Sequence, residues 1–218
     1  MKYSELNDNE EIHSLIKKGN DNLGILGYTD HSVEHAKLVA ERAAEILKKL
    51  GYKKNRTELA KIAGYMHDIG NAINRTHHAE YGSLLANDIL KETDLSLEDR
   101  LTVVSAISHH DESTGGAGDD ISAALIIADK TDVRRDRVRK KPKACFDVHD
   151  RVNYAVTQSE LSINPDKKVI TLSLEIDEKI CTMYDYLNIF LGRMMMCQKA
   201  SEILGVSFRL LVNGNKVL

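Results

Sequence analysis

The chain has 218 residues, 42% of them hydrophobic and 29% charged, with a formal net charge of −3. That length supports one generous domain or a domain with a small appendage, and the mix excludes disordered and fibrous classes. The slight negative charge argues against a surface built to coat nucleic acid. Cys145, Cys181 and Cys197 are odd in number and unpaired in spacing, and they read as reduced thiols of a cytoplasmic protein. The first eleven residues are polar and acidic, so no signal peptide is expected, and no apolar run approaches the ~20 residues that span a bilayer.

Residues 9–19 form a short amphipathic segment closed by Gly19. Val33, Ala36, Val39, Ala40, Ala43, Ile46 and Leu47 follow the spacing of a buried helical stripe, with His35 at its edge and Gly51 as its stop. The next helix is expected to start at Asn55, capped in concert with Glu58, and to run through Leu59, Ile62 and Met66 to His67-Asp68. Its small face, Ala60, Ala63 and Gly64, lets a neighbouring helix come close. Gly70 is expected to end it in the left-handed conformation. His77-His78 opens a further helix, and Ser96 with Asp99 caps another that finishes at His109-His110. A glycine-rich link, 113–118, has the composition of a mobile rim. Asp119 or Asp120 then caps Ile121–Ala128, apolar nearly all round and therefore interior, which ends in Asp129. A carboxylate emerging from a buried helix must be paired or bound to a cation.

Arg134, Arg135, Arg137, Arg139, Lys140, Lys141 and Lys143 make a basic run, either a solvated face or a collar for phosphates. His149-Asp150 repeats the earlier dipeptide and reads as structural or substrate-side. From residue 155 the periodicity changes to alternation over 155–163 and 169–176, then to a long helix over 180–204 and a last strand at 207–212. The chain is therefore expected to be mostly α, a helical bundle over 1–154 with a small C-terminal α/β subdomain over 155–218, antiparallel strands plus one long helix. Met194-Met195-Met196 would pack against the sheet or form a homodimer surface.

His35, His67, Asp68, His78, His110 and Asp129 all fall at helix ends or edges. Imidazoles and carboxylates without thiolates suit iron, manganese, zinc or a similar divalent ion. Six groups exceed the needs of one ion, whereas two ions sharing Asp68 would use them all. His78 is preferred to His77, and His110 to His109, by spacing. The ordered set of His35, His67-Asp68 and Asp129, with Ala-Lys-Leu-Val-Ala after His35 and Ala-Asp-Lys at 128–130, resembles the HD-domain superfamily of metal-dependent phosphohydrolases over residues 28–135. The extra histidines make it similar to the dinuclear branch, which includes hydrolases of dinucleoside polyphosphates and HD-GYP phosphodiesterases.

The resemblance implies a first metal on His35, His67, Asp68 and Asp129, and a second on His78, His110 and the bridging Asp68. His109-His110 is followed by Asp-Glu-Ser-Thr-Gly-Gly in place of a Gly-Tyr-Pro signature, so cyclic di-GMP cleavage is not expected. With Asp68 and Lys130 as catalytic groups, and His31, His109, Lys130, Arg134 and Arg135 as substrate contacts, the expected activity is hydrolysis of a nucleotide or other small phosphate ester. Asp111 and His31 are candidate leaving-group acids. A di-iron oxygenase and a non-catalytic nucleotide sensor are the rival readings.

Overall fold

The computed structural model describes residues 3–139 and 146–218, so Lys140, Lys141, Lys143 and Cys145 lie outside the described part. Eight helices come first: α1 (Tyr3–Asn7), α2 (Glu10–Ile25), α3 (Val33–Lys49), α4 (Lys54–Met66), α5 (His78–Leu90), α6 (Leu97–Ser108), α7 (Asp120–Lys130) and α8 (Val148–Ala155). Then follow β1 (Val156–Asn164), β2 (Val169–Ile176), α9 (Met183–Ile203), β3 (Ser207–Val212) and β4 (Asn215–Lys216). The protein is mostly helical, with a small four-stranded C-terminal sheet of order β1-β2-β3-β4. None of the helices among the described residues is long and apolar enough to cross a membrane.

The apolar spacing explains the bundle. Val39, Ala40, Ala43, Ile46 and Leu47 of α3 are fully or almost fully buried against Leu59, Ile62, Ala63 and Met66 of α4. A side chain at Gly64 would put its Cβ 2.7 Å from the Ala40 Cα, so the absence of one lets the two backbones touch. Helix α7 is buried from Ile121 to Ala128 and forms the centre of the bundle. Helix α9 lies against it, and one apolar core continues from α7 through Phe190 and Met194 into Leu172, Leu174 and Leu210 of the sheet. Of the methionine run, Met194 is buried, Met196 is partly buried against this core and Met195 is exposed.

Several local expectations change. Helix α2 continues through Gly19 to Ile25, because this glycine serves a close approach: its Cβ would lie 3.1 Å from the Ala72 amide nitrogen. Asn55 does not cap α4, which starts one residue earlier without a side-chain cap; Asn55 reaches Asp99, and Glu58 accepts from the Tyr3 amide (3.2 Å). Gly70 is not left-handed. It sits in a 3-10 turn, Ile69–Ala72, where any Cβ would collide with the His78 carbonyl oxygen and the Gly82 amide. Residues 148–155 form α8, with Asp147 as N-cap and Asp150 closing a capping box, so Asp150 has a structural role, while His149 is exposed and both line a cavity shared with Asp68 and His78. The pairing of β2 with β3 is parallel rather than antiparallel, since the α9 crossover returns the chain to the same end of the sheet.

Candidate metal centre

Five elements deliver one candidate group or pair each. His35 is in the first turn of α3, His67-Asp68 follows the last turn of α4, and His78 begins α5. His110 follows the end of α6, and Asp129 is in the last turn of α7. His77, at φ 61°, turns the chain sharply before α5 and points its own ring toward Glu80, leaving His78 to face inward.

All six expected groups meet. Oδ2 of Asp68 is 3.2 Å from His67 Nε2 and 3.7 Å from His35 Nε2. Its Oδ1 is 3.6 Å from His78 Nε2 and 3.8 Å from His110 Nε2. Asp129 Oδ1 closes the first side, 3.5 Å from His35 Nε2 and 3.7 Å from His67 Nε2. Donors bound at about 2.0–2.2 Å to one ion sit roughly 3–3.5 Å apart, so these separations suit shared cations. One donor atom from each of His35, His67 and Asp129 lies within 4.8 Å of the others, and so does one from each of His67, Asp68 and His110.

The orientation of the rings is the stronger argument. His67 Nδ1 donates to the Gly64 carbonyl (2.7 Å), His110 Nδ1 to that of Ile107 (2.7 Å) and His78 Nδ1 to that of Arg75 (3.1 Å). His35 Nδ1 donates to Asp132 Oδ2 (2.8 Å). With the proton on Nδ1, every ring presents the Nε2 lone pair to the centre. There the buried Nε2 atoms of His35 and His67 have no hydrogen-bond partner, and those of His78 and His110 face each other at 3.2 Å. Lone pairs aimed at one another and at carboxylate oxygens are unfavourable unless a cation or proton lies between them. The residues therefore fit divalent cations.

Electrostatics agree. Burial opposes charge on His67, but Asp68 and Asp129 outweigh it and raise the ring to about 10. Burial, with help from His110 and Arg75 against the pull of Asp68, lowers His78 to about 4. The groups that attract a proton to His67 would attract a cation in its place, and binding must release that proton. Because the metal-free ring titrates near 10, cation affinity should rise with pH between about 6 and 9. Titration calorimetry in buffers of different ionisation enthalpy would read the released proton, and a pH-independent affinity would contradict this.

Asp132 is the group that sequence reasoning passed over. It is fully buried, holds His35 and is flanked by Arg134 Nε (2.6 Å) and Arg137 Nε (3.6 Å). Its signal was present as a second carboxylate one turn beyond Asp129. Asp132→Asn should weaken metal binding about 10- to 100-fold by freeing the His35 ring, and unaltered affinity in a metal titration would reject that role.

The other expected contacts divide. Lys130 Nζ donates to Asp129 Oδ2 (2.8 Å), and Lys130 lines a cavity of about 310 Å³ over the centre. His31 lines it too, with Nδ1 donating to the Thr29 carbonyl (2.8 Å) and Nε2 4.0 Å from Asp68. His109 is exposed, tied to Ser105, and does not reach the centre. Arg134 is held by Asp132 and Asp136, and Arg135 stacks over Tyr154 at 4.7 Å, so neither lines the cavity. The cations that line the cavity are Arg75, Lys130, Arg137 and Arg193, and Glu112, Asp147, His149 and Asp150 line it beside them. Asp111 lines a neighbouring cavity; burial would raise its carboxyl, but hydrogen bonds from Ser113 bring it down to about 2, so it is ionised at neutral pH and no acid.

A family model described as HD domain matches residues 32–153, more than half of the chain and all six groups. The chain belongs to the HD domain family. Similar proteins include the uncharacterized protein MJ1020 of Methanocaldococcus jannaschii, 30% identical over 194 residues, covering 78% of this chain and 74% of that one. A solved structure described as a predicted HD superfamily hydrolase, from an uncultured Thermotogales bacterium, is 22% identical and covers 62% of this chain and 75% of that one, with a TM-score of 0.45. The HD domain match ends before β1, so the sheet and α9, including Arg193 on the cavity wall, lie outside it.

Proposed function

We propose that this HD domain protein is a metal-dependent phosphohydrolase acting on a nucleotide or other small phosphate ester. The reading rests chiefly on Asp68, whose two oxygens face two different pairs of imidazoles beneath a cavity to which Arg75, Lys130, Arg137 and Arg193 contribute cations. His35, His67 and Asp129 with one oxygen of Asp68 would hold one ion, and His78 and His110 with the other oxygen would hold a second. Bound there, two divalent cations such as iron or manganese would supply Lewis acidity and an activated water at neutral pH.

The side chains do the rest. Asn71 Nδ2 donates to Asp68 Oδ1 (2.9 Å) and fixes the plane of the bridging carboxylate. Lys130 orients Asp129 and offsets its charge. Burial and then Arg137 lower the His31 ring well below its usual range; it therefore stays neutral at pH 7, with a lone pair directed toward Asp68 that suits a water more than a proton donor's place. Arg75 and Arg193 offer the forked donors that match phosphate oxygens. The cations on the wall favour a phosphorylated ligand over the oxygenase reading, and turnover separates hydrolysis from nucleotide sensing. Phosphate release from a panel of nucleotides and sugar phosphates by the iron- or manganese-loaded protein is the expected result. Oxygen uptake without phosphate release, or two bound ions with neither, would reject it.

A further inference from the structure

A second cavity, of about 410 Å³, opens beside the first, and the two share Arg75, His78, Glu112 and Arg193 as their common wall. Its other lining includes the hydroxyls of Ser113 and Thr114 and, on the side of His77 and His78, the carboxylates of Glu80 and Asp111. The two arginines thus stand where one chamber passes into the other, whereas Lys130 and Arg137 line the first chamber alone.

Each arginine is linked to a carboxylate of the candidate centre, Arg75 to Asp68 through one residue and Arg193 to Asp129 through two. Arg75 Nη1 donates to His78 Nε2 (3.3 Å), the atom that lies 3.6 Å from Asp68 Oδ1. Arg193 Nε donates to Glu112 Oε1 (2.7 Å), which is 3.8 Å from Lys130 Nζ, the partner of Asp129. The guanidinium of Arg75 lies over the Tyr28 ring at 5.3 Å, and that of Arg193 over Phe190 at 4.8 Å. Stacking fixes a planar fork without cancelling its charge. Among the described residues no carboxylate is paired with Arg75, which stacks on Tyr28, and Arg193 shares Glu112 with Lys130. The passage is therefore a preformed place for an anion, with Glu112 as its internal occupant.

We propose that Arg75 and Arg193 form a second anion subsite, which holds a phosphate of the substrate other than the one displaced at the metal centre, and that Glu112 is the carboxylate this phosphate displaces. The inference rests on the phosphohydrolase reading and narrows it to substrates with two phosphates, a diphosphate or a bisphosphorylated small molecule. It also assigns a specificity role to α9, which lies outside the HD domain match.

Calorimetric titration of the metal-loaded protein with inorganic phosphate and with pyrophosphate tests it. Pyrophosphate should bind at least about tenfold more tightly than phosphate, through the added charge-assisted hydrogen bonds. Arg75→Gln and Arg193→Gln should each weaken pyrophosphate about 10- to 100-fold while phosphate changes less than about threefold and metal content stays the same. Arg193→Lys should fall between, keeping the charge but losing the fork, and Glu112→Gln should tighten pyrophosphate. Equal weakening of both anions, no change in either, or loss of metal from the glutamine variants would overturn the subsite. A wild-type protein that hydrolyses phosphate esters yet shows no preference for pyrophosphate would sink the subsite alone. One that binds neither anion and hydrolyses nothing would sink the phosphohydrolase reading with it.

Discussion

Asp68→Asn should abolish binding of at least one cation and lower hydrolysis by about 10³-fold or more, while far-ultraviolet circular dichroism stays that of the wild type. The substitution keeps the shape of the side chain and its contact with Asn71, but it removes the charge that both imidazole pairs face. An amide has one carbonyl oxygen and one donor group, so it cannot give a separate oxygen to each of two cations. The backbone should survive because Asp68 lies outside the apolar core that joins α3, α4 and α7. Elemental analysis beside a phosphate-release assay reads both effects. A variant that keeps two ions and wild-type turnover would rule out a bridging carboxylate.

Gly70→Ala should destabilise the fold by about 1–3 kcal/mol and cost the second cation more affinity than the first. The added methyl would run into the His78 carbonyl oxygen and the Gly82 amide, both backbone atoms of α5 with no freedom to rotate away. Separating the 3-10 turn from α5 displaces His78, which begins that helix, and leaves His35 and Asp129 on α3 and α7 undisturbed. Gly192→Ala on α9 is the matched control. No atom lies within 4 Å of its added Cβ and the backbone is helical, so it should be neutral or stabilising by up to about 1 kcal/mol. Urea unfolding of both variants would separate steric from propensity effects. Equal stability for the two would contradict the account of Gly70.

The helices and the six inward-facing groups were legible because each carries a local signal. A buried stripe such as Val39, Ala43 and Leu47 is read by spacing, and a polar group at the end of such a stripe stands out against it. What spacing cannot report is why a glycine is a glycine. Gly19, Gly64 and Gly70 all serve close backbone contacts with segments 20 or more positions away, except Gly70, whose partner α5 begins eight residues on. Only at Gly64, set in a face of small residues, does the sequence show the close approach; Gly19 and Gly70 have the look of helix ends.

Nor does charge in the sequence reveal which charges are free. The basic run after Asp132 promised phosphate contacts, yet Arg134 and Arg135 are engaged away from the cavity, and Arg137, which does line it, is held by that same buried carboxylate. The arginines that do line the passage, Arg75 and Arg193, lie 118 positions apart and join only through the packing of α9 on the bundle. Asp132 escaped notice for a related reason: its role is to hold His35, and that contact spans 97 positions.

The claim on which everything else depends is that one carboxylate serves two cations. Anomalous-scattering crystallography of the iron- or manganese-loaded protein tests it directly. Two peaks about 3.5–4 Å apart, one beside His35, His67 and Asp129 and the other beside His78 and His110, each touched by a different oxygen of Asp68, is the predicted result. A single peak, or ions bound away from Asp68, would contradict it.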